Sequence, residues 1–202
     1  IKQSPPHLKS LLDYASLMDS GGIWKEAVEA YLEYDRITGR KGVLSTNVRD
    51  RLYELFLKMG EDLDGSSLIS KLRYFQQARE FTPSARKKAH MEWKISELLC
   101  EMDRNREAID LCREMRDRYP DYIFPVHGGE TAVRVREFTS HLISKIQEKD
   151  PGAYRHVEIL AKQALEEVRG DRVQGWRKVE THFPHSQAAK EARSLLLAEF
   201  LS

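Results

Sequence analysis

The feature that most constrains this chain is a helix junction that recurs four times along the sequence. At each copy an amphipathic segment ends on an aromatic or apolar residue, a proline usually follows, and a new amphipathic segment begins. The copies are Arg118-Tyr119-Pro120-Asp121, His182-Phe183-Pro184-His185-Ser186, the looser Phe81-Thr82-Pro83-Ser84 and the degenerate Arg36-Ile37-Thr38-Gly39. A unit that recurs every few tens of residues is typical of an α-helical solenoid, in which each hairpin buries its apolar side against the next.

Apolar residues recur at helical spacing along the 202 residues, and this pattern predicts ten helices in five antiparallel pairs. Serine residues in N-capping positions, Ser84 and Ser186, mark two of the helix starts. No alternation of apolar and polar residues is sustained enough to predict a strand. The expected helices lie between Leu8 and Gly21, between Ile23 and Gly39, and at about 46–60, 66–81, 84–102, 105–118, 130–148, 153–168, 171–182 and 186–201.

The regular alternation of helices and short turns is interrupted at residues 120–129, which contain two prolines and two glycines. The sequence is therefore divided into an N-terminal stack of three hairpins at 1–119, a connecting loop at 120–129 and a C-terminal helical stack at 130–202. Loops of this length are uncommon between helices unless they are functional or disordered. This loop is apolar, and two interpretations stay open: it covers a helix end, or it docks a neighbouring domain. The candidate docking residues are Tyr122, Phe124 and His127.

The composition argues against several function classes. Thirty-three basic and 32 acidic residues leave a net charge of +1, whereas nucleic-acid binding usually requires a clearly basic domain. No apolar run approaches the roughly 18 residues that span a bilayer, so we expect no direct membrane insertion. The seven histidines provide no convergent set of three or four metal ligands, and we expect no metal and no cofactor. No nucleophile–base pair or carboxylate pair is indicated, so we expect no enzyme.

The two cysteines, Cys100 and Cys112, form neither a disulfide framework nor a zinc motif. Two free thiols in the core and a disulfide between facing helices both stay open. Because the chain begins at Ile1 rather than Met, we expect it to be a processed chain or a piece of a longer protein.

The segment that ends at Pro120 resembles a tetratricopeptide repeat, a helical hairpin of about 34 residues with small and apolar residues at fixed places. Ala108 lies twelve residues before Pro120 and matches the small residue that opens the second helix, and Ala27 lies twelve residues before Gly39 in the same frame. The other matching residues are Ile95, Ser96, Leu99, Cys112 and Met115; Leu11, Tyr14, Ala15, Met18, Tyr31 and Tyr34; and, in two weaker copies, Phe75, Ala78, Pro83, Trp176, Val179 and Pro184.

The repeats depart from the family pattern, because their closing positions are 44, 37 and 64 residues apart (39 to 83, 83 to 120, 120 to 184). The resemblance nevertheless implies an all-α fold, a right-handed superhelix of about five antiparallel helical hairpins. The stretch from Phe183 to Ala192 is similar to a junction of bacterial cell-envelope repeat proteins, such as outer-membrane assembly lipoproteins and Tol–Pal accessory proteins. The region from Asp150 to Leu196 resembles the helical region attached to quinoprotein-type propellers. These resemblances imply a periplasmic or cell-envelope location.

A superhelix of this family leaves a concave face lined by the first helix of each hairpin, and that face can hold a peptide or a helix. The repeat frame places these residues in the groove: Lys9, Leu12, Ser16, Asp19, His90, Trp93, Glu97 and Glu101. Trp93 has two interpretations, since it either anchors a partner or packs after a small rotation of its helix.

The function implied by this fold is a non-catalytic protein–protein interaction scaffold or adaptor, with a protein or peptide partner. The alternatives are a purely structural spacer within a larger multidomain envelope protein, and a helical array that carries an enzymatic site contributed elsewhere. The sequence leaves the oligomeric state open.

Overall fold

The computed structural model of the chain describes residues 6–39, 43–82, 84–126 and 131–201. Ten α-helices lie within these ranges, so the all-α prediction is confirmed at the level of secondary structure. The helices are α1 Pro6–Ser20, α2 Trp24–Thr38, α3 Val43–Glu61, α4 Leu68–Phe81, α5 Ala85–Glu101, α6 Asn105–Arg118, α7 Val135–Lys149, α8 Arg155–Glu166, α9 Arg172–His182 and α10 Gln187–Leu201. Two 3₁₀ turns, Gly65–Ser67 and Pro151–Tyr154, precede α4 and α8.

Three helix ends form where the sequence signals predict them. α2 stops at Gly39, which adopts a left-handed conformation with φ 61°, a C-terminal arrangement that favours glycine. α10 starts after Ser186, whose Oγ accepts the Ala189 N–H at 2.9 Å, and the Oγ of Ser84 accepts the Lys87 N–H at 3.5 Å before α5. These bonds satisfy amide groups that a helix leaves unpaired at its N-terminus.

The chain forms two compact units, Ile1–Leu98 and Leu99–Ser202. The division falls within α5, whereas the domain limits predicted from the sequence were 1–119, 120–129 and 130–202.

The first unit is built from the hairpins α1–α2 and α3–α4, with α2 packed against α3. Its core also takes in Met91 of α5. Packing positions assigned to the second helix of each hairpin are buried here, as the repeat pattern predicts. These are Ala27, Tyr31, Tyr34, Phe75 and Ala78.

Asp35, a buried carboxylate, links α2 to α3. Ser45 donates its hydroxyl hydrogen to this carboxylate at 3.2 Å, and Arg49 lies 3.5 Å from it. Arg49 also donates to the Glu80 carbonyl oxygen at 3.0 Å. A charge that is partly removed from water needs such partners, so this network favours one alignment of three consecutive helices.

In the second unit α7 packs mainly against α6 and the 3₁₀ turn Pro151–Tyr154, and the hairpin α9–α10 packs against α8. A small-residue stripe lets these last helices approach closely, with Ala161, Ala188 and Ala192 buried beside Val179. Small residues at such contacts allow the larger neighbours to interlock without voids.

The prediction that the chain contains no strand is wrong. Strands β1 (Ile123–Val126) and β2 (Thr131–Arg134) pair antiparallel, with Ile123 opposite Arg134 and Val126 opposite Thr131. As a result α7 begins at Val135 rather than near residue 130. The strands form because β-branched and aromatic residues favour extended backbone and because the ring of Phe124 is buried, at 1% exposure.

Candidate functional site

The first unit has an open cleft between α2 and α4. It consists of two adjoining cavities of about 460 Å³ and 270 Å³, which share Lys25, Met59 and Tyr74. The remaining lining residues are Gly22, Ile23, Trp24, Glu26, Val28, Glu29, Leu32, Phe56, Asp62, Leu63, Ser70, Arg73 and Gln77. We refer to this depression as the α2–α4 cleft.

Helical spacing explains why these residues share one surface. The α2 wall contains Lys25, Val28, Glu29 and Leu32, which are three, four and seven residues apart and therefore lie on one face of a helix. The α4 wall repeats this spacing with Ser70, Arg73, Tyr74 and Gln77. α3 contributes Phe56 and Met59 between the two walls.

Aromatic rings form the apolar part of the cleft. Trp24 is half-buried, and the Lys58 Nζ lies 4.4 Å from the centre of its indole ring, a contact that is worth about 0.5–1 kcal/mol at an exposed site. The Tyr74 ring stacks on Phe56 with 6.4 Å between centroids. Ile23 at the mouth keeps 44% of its surface exposed. The cleft thus combines fixed rings with apolar surface that faces water.

The charges around the cleft nearly balance. Lys25 and Arg73 are basic, whereas Glu26, Glu29 and Asp62 are acidic. Such a mixed rim provides hydrogen-bonding groups without a strong field of one sign, so it does not select a highly charged ligand.

Trp24 and Tyr74 are not among the site residues predicted from the sequence, although the sequence contains a signal for Trp24. Trp24, Val28 and Leu32 form a second apolar row on α2, spaced by four residues, beside the row that packs against α1. An amphipathic helix with two apolar rows has two surfaces to cover, and only one of them was assigned.

The predicted groove residues of α1 have different environments. Lys9 and Ser16 are exposed, and Leu12 packs partly into the core. Asp19 is engaged by Arg51, whose guanidinium donates to its carboxylate at 2.8 Å. This pair joins α1 to α3, so Asp19 contributes to packing within the unit.

The α5 members of the predicted groove include one close pair. The rings of His90 and Trp93 meet edge to face with 6.0 Å between centroids, and both side chains are half-buried. Burial, together with the nearby Lys94 ammonium, lowers the pKa of His90. Glu97 and Glu101 are exposed, and Glu101 belongs to the second unit.

The predicted docking loop contains β1. Tyr122 is half-buried with its ring against Tyr119 at 5.6 Å between centroids, and Phe124 is enclosed in the second unit. His127 lies outside the described residues. Of the three candidate docking residues, Phe124 is therefore an interior residue.

Within the described ranges no group of three or more His, Cys, Asp or Glu side chains converges on a position that could hold a metal ion. None of the described helices combines the length and the apolar character needed to cross a bilayer. Cys100 and Cys112 are free thiols, and Cys112 is buried.

No protein-family model matches this chain, and no curated protein is detectably similar to it.

Proposed function

We propose that this chain is a non-catalytic protein-interaction scaffold that binds a helical segment of a partner in the α2–α4 cleft. The cleft supports this proposal because it offers Trp24, Met59 and Tyr74 on one open surface. Tryptophan and tyrosine are the side chains that most often dominate binding energy at protein interfaces, since they bury a large area at a small entropic cost.

The dimensions of the cleft suit a short helix. Its α2 wall runs from Trp24 to Leu32, which at 1.5 Å per residue is roughly 12 Å, or about two turns of a partner helix. A helix docked in such a groove inserts apolar side chains at spacings of three, four and seven residues. The mixed charges of Glu29 and Arg73 at the rim would then orient the helix rather than attract it from a distance.

The arrangement of hairpins proposed here is a right-handed, tetratricopeptide-like superhelix. The hairpins α1–α2 and α3–α4 support it, as do the buried second-helix positions Ala27 and Ala108. The bacterial cell-envelope location stays a prediction from resemblance.

The test is a selection of displayed helical peptides on the purified chain, followed by affinity measurements on the enriched peptides. We expect the Trp24→Ala, Tyr74→Ala double variant to weaken their binding by at least about tenfold, or 1.4 kcal/mol. A matched variant in the predicted α5 groove, Trp93→Ala with Glu97→Ala, should change the affinity less than about twofold. Thermal unfolding of both variants verifies that they stay folded.

If the α5 variant loses more affinity for the peptides than the cleft variant does, the binding site is the groove predicted from the sequence rather than the α2–α4 cleft. Failure to enrich any peptide that binds specifically would contradict the scaffold function and favour the structural spacer.

A further inference from the structure

A second depression, in the second unit, differs chemically from the α2–α4 cleft. It is a cavity of about 310 Å³ between the end of α8, the segment that follows it and one face of α9. We refer to it as the α8–α9 pocket. Its lining residues are Ala164, Glu167, Val168, Arg169, Gly175, Lys178, Val179, His182 and Phe183.

The floor of the pocket is apolar. Val179 is buried, and it belongs to a cluster that also includes Val168 and Phe183. A β-carbon added to Gly175 would lie 2.5 Å from Val168 Cγ1, so the backbone of α9 closely approaches that side chain. The Arg113 guanidinium lies over the Phe183 ring, at 5.1 Å from the ring centre.

The rim of the pocket is basic. Arg169, Lys178 and His182 stand there against one acidic residue, Glu167. The His182 ring is fixed at the rim because its Nδ1 donates to the Lys178 carbonyl oxygen at 2.9 Å.

The two permanent cations of the rim are Arg169 and Lys178. Neither Arg169 nor Lys178 takes part in an ion pair within the described residues. Both side chains are exposed and stand beside the apolar floor of the pocket, so a carboxylate that flanks a group bound on that floor can meet them.

We propose that the α8–α9 pocket binds an acidic, aromatic peptide segment of a partner protein. An aromatic side chain occupies the floor formed by Val168, Val179 and Phe183, and neighbouring carboxylates meet Arg169 and Lys178. The cavity lies at the lower end of the roughly 300–1,000 Å³ typical of small-molecule sites, and its charges stand at the rim. That geometry suits one side chain of a peptide whose flanking groups stay near water.

The pocket is independent of the α2–α4 cleft, since the two lie in different units. The test is a ¹H–¹⁵N NMR titration of the full chain with the probe acetyl-Glu-Phe-Glu-amide. We expect shift changes centred on the amides of Val168, Gly175 and Phe183. The neutral probe acetyl-Gln-Phe-Gln-amide should bind at least about fivefold more weakly, and added salt should reduce the difference.

Charge-neutralising variants locate the site. Arg169→Gln with Lys178→Gln should weaken binding of the acidic probe about tenfold. Lys162→Gln with Arg172→Gln makes the same charge change on exposed residues outside the pocket lining and should alter the affinity less than about twofold. The cleft variant Trp24→Ala, Tyr74→Ala should bind the probe as the parent does, so failure of one site is distinguishable from failure of the other.

Equal affinity for the acidic and the neutral probe would overturn the proposal, because the charges of the rim would then contribute nothing to binding. Equal loss in the two charge variants, or shift changes centred away from α9, would also overturn it.

Discussion

The α2–α4 cleft and the α8–α9 pocket are both depressions between neighbouring helices with an aromatic ring in the lining, yet they differ in what surrounds that ring. The cleft carries Lys25 and Arg73 against Glu26, Glu29 and Asp62, whereas the pocket is surrounded mainly by cations. Helix packing therefore provides the shape in both units. The residues at the rim, which are free of packing constraints, determine which ligand each shape can select.

Each unit contains a glycine inside a helix that a neighbouring side chain approaches closely. The added β-carbon of an alanine would lie 2.5 Å from the Phe75 ring at Gly60 and 2.5 Å from Val168 at Gly175. The neighbours differ, since Phe75 is 3% exposed and Val168 is half-buried in the segment after α8. A buried ring has fewer ways to move aside than a half-exposed side chain, so the two glycines should not be equally replaceable.

Gly60→Ala should have the largest effect on stability. Overpacking against Phe75 costs about 1–3 kcal/mol, and the higher helix propensity of alanine returns about 1 kcal/mol, so we expect a net loss of up to about 2 kcal/mol. Urea unfolding followed by circular dichroism measures it. Gly65→Ala is the matched control, because a β-carbon there meets no atom within 4 Å. A Gly60→Ala variant as stable as its control would show that the Phe75 ring can move freely.

Gly175→Ala should have a smaller effect. Val168 can shift with its exposed segment, so we expect the free energy of unfolding to fall by less than about 1 kcal/mol. The same shift should narrow the α8–α9 pocket and weaken binding of the acidic probe. A loss of stability larger than that of Gly60→Ala would reverse the comparison and identify the α8–α9 contact as the more rigid of the two.

The sequence predicts the helices well because their signals are local. The junctions at Tyr119 and Phe183 each end a helix. The backbone N–H of Tyr119 donates to the Met115 carbonyl oxygen, and that of Phe183 donates to the Val179 carbonyl oxygen. The strand pair was missed for a physical reason. Each strand has only four residues and β1 contains Pro125, which weakens any pattern-based assignment of a strand.

The candidate sites were less predictable because they depend on which helices become neighbours. Trp24 and Tyr74 are fifty residues apart in the sequence, and only the packing of α2, α3 and α4 places them in one cleft. The cations of the α8–α9 pocket also look like ordinary solvated residues in the sequence. Their distinguishing property is that they line the same cavity as Val168, Val179 and Phe183, which is a property of the three-dimensional arrangement.

Two half-buried histidines extend the comparison between the units. Burial lowers the pKa of both His90 and His185. Near His90 the Glu61 carboxylate partly opposes the effect of Lys94, whereas near His185 the Arg116 guanidinium adds to the effect of burial. His185 also stacks edge to face with Tyr154 at 6.4 Å between centroids, and burial raises the pKa of Tyr154 to about 12. Tyr154 therefore stays neutral. It cannot compensate the positive charge that a protonated His185 would add beside the Arg116 guanidinium.

Acid should therefore destabilise the contact around His185. We expect this effect on stability to be smaller than those of Gly60→Ala and Gly175→Ala. A folded-state pKa below the unfolded value of 6.5 means that the folded state binds fewer protons. The stabilisation that the neutral His185 ring contributes is therefore complete above about pH 6.5. It is lost as the pH falls through the lowered pKa of His185 in the folded state. We expect His185→Gln to reduce the decline in unfolding free energy between about pH 7 and pH 5, as measured by urea unfolding at each pH. His141→Gln, at an exposed position, is the control and should leave the decline unchanged. If both variants show the parental pH dependence, the imidazolium of His185 finds a favourable environment despite Arg116, and the acid sensitivity of the chain must arise elsewhere.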